Sequence, residues 1–100
     1  MRITINGKNH ESGKITASMT RRALQLNVEA LDAAAAAEKL KQTKDATDAS
    51  ELLALIGTNI DEKAALVCDV FGGAFSREEL LDEISNAELN GLVQQIASGK

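Results

Sequence analysis

The chain has 100 residues, a length that builds one hydrophobic core, and is read as a single domain over residues 1–100. Sixteen of its hydrophobic residues are Ala and only Phe71 and Phe75 are aromatic, so the core is thin and the rings that line cofactor pockets or stack on bases are scarce. The net charge of −4, with its basic residues dispersed, opposes nucleic-acid binding, and no apolar run is long enough for a signal peptide or a membrane span.

Arg2-Ile3-Thr4-Ile5 alternates polar with apolar residues and runs into Asn6-Gly7, a pair that accepts the positive φ angles of a tight hairpin turn. A β-hairpin is expected over residues 2–16, with strands near 2–5 and 8–16. Ile15 is the only large aliphatic residue of the return strand. His10 stands there beside Glu11, and with one His and one Cys in the chain no zinc ligand set is complete. It is expected to be a solvated strand residue.

From about 18 to 42 the sequence lacks Gly and Pro, and Ser18 or Thr20 is positioned to cap a long helix. Leu24, Val28, Leu31 and Ala35 fall within about 60° on its surface, a narrow seam. Nearly opposite lie Met19, Leu26, Ala30, Ala33, Ala37 and Leu40. The helix therefore has two apolar faces. The face of Leu26, Ala30, Ala33, Ala37 and Leu40 is the expected partner-binding surface, since small residues let another backbone approach closely. Packing of that face within the chain is the alternative.

A polar connection over 41–49 leads to a second long helix over 50–71, with Asp48 and Glu51 as its expected capping box. Leu52, Ile56, Ile60, Ala64, Val67 and Phe71 keep one helical phase through Gly57, which predicts a continuous rod despite a cost of about 1 kcal/mol for Gly inside a helix. Gly72-Gly73 end it. Phe75-Ser76-Arg77-Glu78-Glu79-Leu80 combines a capping Ser, a Glu three residues on and a flanking apolar pair, and Ile84-Ser85-Asn86-Ala87-Glu88-Leu89 repeats that arrangement. Two short helices are expected, near 77–84 and 86–98. The fold class is α+β, mainly α.

Chemistry finds little footing. Cys68 lies at the edge of the apolar stripe with no basic group one turn away, which suits core packing rather than a reactive thiol. Glu78-Glu79 and Asp82-Glu83 complement a helix N-terminus and an exposed face. No phosphate-binding loop, catalytic constellation or metal set stands out, and the expectation is no enzyme, no metal and no cofactor. Neither Asp48-Ala49-Ser50-Glu51 nor Ile84-Ser85-Asn86 matches the attachment motif of acyl carrier proteins.

The stretch Ala64-Ala65-Leu66-Val67-Cys68-Asp69-Val70-Phe71-Gly72-Gly73-Ala74-Phe75-Ser76-Arg77-Glu78-Glu79-Leu80-Leu81-Asp82 resembles the tail assembly chaperones of long-tailed phages and prophages. In these a helix ends in Val-Phe-Gly, and Phe followed by Ser or Thr opens the next. The opening Met1-Arg2-Ile3-Thr4-Ile5-Asn6-Gly7-Lys8 is similar to their short initial hairpin, whereas the Ala-rich middle, Ala30 to Ala49, departs from any pattern associated with them. The resemblance implies a protein of the bacterial host cytoplasm that binds the tape measure protein, keeps it soluble and assists tail tube assembly. The tail tube protein is a second implied partner. Many members also have a longer form made by ribosomal frameshifting. A thin core and a two-faced helix add self-association to the expectations. A small helical adaptor or regulatory binding module unrelated to phage tails is the competing reading.

Overall fold

A computed structural model describes residues 1–99. Its elements are β1 (Arg2–Ile5), β2 (Lys8–Glu11), α1 (Ala17–Gln42), α2 (Ala46–Val70), α3 (Arg77–Glu83) and α4 (Asn86–Ala97). The strands form an antiparallel hairpin in which Ile5 faces Lys8, Thr4 faces Asn9 and Ile3 faces His10. Asn6 and Gly7 both take positive φ in the turn. The return strand stops at Glu11 instead of 16 because β1 is too short to pair with more. The amide of Ser12 reaches back to the Met1 carbonyl at 2.8 Å, the last backbone bond between the two arms.

Ile3 and Ile5 point into the core while Arg2 and Thr4 face water, the period-two pattern of a half-buried strand. His10 departs from the expectation of a solvated residue. It is half-buried, and its ring meets Phe75 edge-on at 5.3 Å, a favourable aromatic geometry. The hairpin register is the cause: a residue directly opposite buried Ile3 lies on the same, inward face. Outside, Arg2 and Glu11 form an ion pair whose hydrogen bond and charge hold the Glu11 carboxyl below its ordinary pKa.

The helix N-terminus of α1 lies earlier than expected. Thr16, not Ser18 or Thr20, is the cap, its hydroxyl accepting the amide of Met19 at 3.2 Å. Thr20 instead ties α1 to α4 by donating its hydroxyl to the Ile96 carbonyl at 3.0 Å. The second long helix likewise begins at Ala46 rather than 50. Asp45 caps it by accepting the Thr47 amide at 2.8 Å, so Asp48 falls in the first turn and the expected box with Glu51 is not the cap. The connection shrinks to Thr43-Lys44-Asp45, enough to reverse direction between antiparallel helices. Arg22 of α1 pairs with Asp69 near the far end of α2 at 2.8 Å, in keeping with that antiparallel sense.

Helix α2 runs unbroken through Gly57, as its phase predicts. It ends in two left-handed glycines: the Gly72 amide bonds to the Asp69 carbonyl at 3.0 Å and the Gly73 amide to the Cys68 carbonyl at 2.9 Å. That pair of bonds is the Schellman closure, which satisfies two orphan carbonyls and needs residues without a Cβ penalty. Ser76 and Glu79 then form the expected capping box, with bonds of 3.1 and 3.2 Å. Ser85 caps α4 by accepting the Glu88 amide at 3.1 Å. Expected ends at 84 and 98 are C-caps here, Ile84 and Ser98.

The core gathers at one end of the long hairpin. Ile3 and Ile5 of β1, Ala23 and Leu26 of α1, Leu66, Val67 and Val70 of α2, Leu80 of α3 and Leu89, Val93 and Ile96 of α4 are all buried together with Phe71 and Phe75. Cys68 belongs to this cluster, and burial pushes its thiol pKa up. Beyond residue 30 the α1–α2 pair projects away from it. The radius of gyration, 14.6 Å, exceeds the roughly 13 Å of a compact 100-residue domain, and the longest axis reaches 45 Å.

Candidate protein-binding surface

The projecting part, residues 30–58, has Ala36 as its one buried residue. Two helices alone bury only one side of each, and α1 contributes mostly Ala there, so little apolar area leaves water. Leu53 of α2 remains 56% exposed and Leu55 44% exposed. The third element that would cover them, α4, packs on the other end of the hairpin.

The face of α1 read from the sequence as partner-binding turns toward α2. Leu26 is buried in the core, and beside it Gln25, Glu29, Glu62 and Ala65 line a groove between the two helices. Ala30, Ala33, Ala37 and Leu40 share its helical phase and are half-buried. The structure thus brings these five residues onto one side of one helix, against α2 but incompletely covered by it. The narrow seam on the other side is open: Leu24 is 52% exposed, Val28 65% and Leu31 71%. Exposed apolar residues scattered singly are ordinary on a protein surface, whereas a row of three at helical spacing is a candidate contact surface.

Asn59 and Lys63 are a feature the sequence reading passed over. Both are buried, one turn apart on the inner side of α2. Asn59 donates its amide to the Leu26 carbonyl at 3.3 Å, and Lys63 donates to Oδ1 of Asn90 on α4 at 2.7 Å. No carboxylate forms an ion pair with Lys63 among the described residues, and desolvation alone lowers its pKa. The signal was available: Asn59 and Lys63 interrupt the apolar phase of Leu52, Ile56, Leu66 and Val70, so a polar pair in mid-stripe had to be buried. At that point the pair joins α2 to α1 on one side and α4 on the other, where the core gives way to the projecting arm.

Among the described residues no group of three His, Cys, Asp or Glu side chains is placed to hold a metal ion, and no helix is long and apolar enough to cross a membrane. Comparison with known proteins found no match among curated proteins and none among solved structures. Residues 2–99, nearly the whole chain including the hairpin, the arm and the α2–α3 punctuation, match the family described as phage tail chaperone protein. That membership displaces the reading as an adaptor unrelated to phage tails, and the chain belongs to the phage tail chaperone family.

Proposed function

We propose that this chaperone binds the tape measure protein in the cytoplasm of the infected or lysogenic bacterium, keeps it soluble and assists tail tube assembly, without catalysing a reaction. The observation that carries the proposal is the thinly packed arm, residues 30–58, in a chain matched by the family over residues 2–99. Apolar area brought out of water contributes about 25 cal/mol per Å². A helical client with an apolar stripe would gain that contribution on Leu53, Leu55 and the half-covered side of Ala30, Ala33, Ala37 and Leu40. Helix-in-groove recognition needs no preformed pocket and tolerates many client sequences, which suits a long helical partner.

The test is co-expression of tape measure segments with and without the chaperone, read as the fraction of each segment left in the supernatant. Solubility only in the chaperone's presence is expected, and equal insolubility in both would overturn the proposal. Ala33→Glu puts a charge on the half-buried side of α1. Lost client binding with helical circular dichroism and melting temperature retained places the client there, whereas loss of folding assigns that side to internal packing with α2.

A further inference from the structure

We propose that the exposed seam of α1 is an antiparallel homodimer interface, in which the same seam of a second copy of this chain lies against it. The argument begins with spacing. Leu24, Val28, Leu31 and Ala35 follow one another at intervals of four, three and four, the a/d spacing of a coiled-coil seam, and extending it one step each way reaches Arg21 and Glu38. All six are exposed. The seam lies opposite the Leu26 face that turns toward α2, so no element of the fold covers it.

Charge then selects the partner and its direction. Read from end to end, the row is Arg, Leu, Val, Leu, Ala, Glu. An antiparallel second copy brings Arg21 against Glu38 of the other copy at both ends, Leu24 against Ala35, and Val28 against Leu31 in the middle. The row is complementary to its own reverse. A parallel copy would oppose Arg21 with Arg21 and Glu38 with Glu38, two repulsive contacts and no attractive one. Arg21 has no ion pair in the described residues, while Arg22 beside it is engaged by Asp69. Glu38 holds only an exposed contact to Lys41 at 3.3 Å, a kind of pair worth little in water and readily exchanged. The seam is about 25 Å long and narrow, so the dimer is reversible and its population follows concentration.

The experiment is sedimentation velocity on the full chain across a concentration series from about 10 μM to about 1 mM, a range suited to an interface of less than standard size. Wild type is expected to pass from monomer to dimer within it, and a monomer at every concentration overturns the proposal. Val28→Asp should abolish the dimer while circular dichroism stays unchanged, as the position is solvent-exposed. Arg21→Glu and Glu38→Arg should each weaken association at least tenfold, and the double variant should restore it. A double variant as weak as the singles excludes the antiparallel register. Disulfide trapping gives an independent readout: Val28→Cys mixed with Leu31→Cys should cross-link faster than Val28→Cys alone, and the reverse order refutes the proposal. None of these readouts depends on the tape measure protein, so dimerisation and client binding stand or fall separately.

Discussion

Replacing Leu66 by Ala should unfold the molecule far more readily than replacing Leu53 by Ala, although both lie on α2 and both carry the same side chain. Leu66 is fully buried in a core built from β1 and all four helices, whereas Leu53 is more than half exposed on the arm. Removing a buried Leu side chain loses its transfer free energy and leaves a cavity, together about 3–4 kcal/mol at a site enclosed on every side. Against a domain stability of about 5–15 kcal/mol, and with about 4–8 °C of melting temperature per kcal/mol at this size, Leu66→Ala is expected to lower the midpoint by about 12–30 °C. Leu53→Ala should change stability by no more than about 0.5 kcal/mol. Thermal circular dichroism measures both. Native-state hydrogen exchange adds the regional test: amides of α2 near Leu66 should exchange only by global unfolding and lose the full 3–4 kcal/mol in the variant. Amides of residues 46–56 should already exchange by local opening, and change little. Equal costs for the two substitutions, or arm amides as protected as core amides in the wild type, would refute a division into packed core and thinly packed arm.

Lys63→Met should stabilise the fold by about 1 kcal/mol, since it removes a buried cation held by a single amide while keeping the unbranched stem. Because burial lowers the Lys63 pKa from 10.5, the unfolded chain binds the extra proton between the folded-state value and 10.5, and wild-type stability gains with rising pH across that window. The advantage of the variant should accordingly be greatest near neutrality and shrink toward about pH 10; denaturant titrations at several pH values measure it, and a constant difference would contradict the buried charge. Ser76→Ala should cost about 1 kcal/mol through the lost cap of α3, read from urea midpoints. Glu79→Ala should in addition free the hairpin turn, because Glu79 also accepts a hydrogen bond from the side-chain Nδ2 of Asn6 at 3.1 Å, and faster backbone amide exchange over residues 2–11 would show it.

Much of this fold was legible as local chemistry. Asn6-Gly7, Gly72-Gly73, Ser76 with Glu79 and Ser85 with Glu88 act within a few residues of themselves, and each did in the structure what its side chain or lack of one requires. The same locality explains the shifted helix starts. Thr16 and Asp45 cap as readily as Ser18 or Asp48, and the choice among neighbouring capping residues rests on where the preceding segment stops, which for Thr16 was set by the short pairing of β1 with β2.

The sequence by itself determined the order of elements, the two apolar faces of α1 and the family, since hairpin, arm and helix punctuation are all carried in residue order. Only the tertiary structure decided which face is covered and where the core ends. Helical phase shows that two faces exist, but it is the antiparallel packing of α2, with Asn59 bonded to the Leu26 carbonyl, that turns the Leu26 side inward and leaves Leu24, Val28 and Leu31 in water. Burial is a relation between segments distant in the chain, and the short α4 reaches only one end of the long hairpin. The other end therefore stays a two-helix arm with apolar surface to offer.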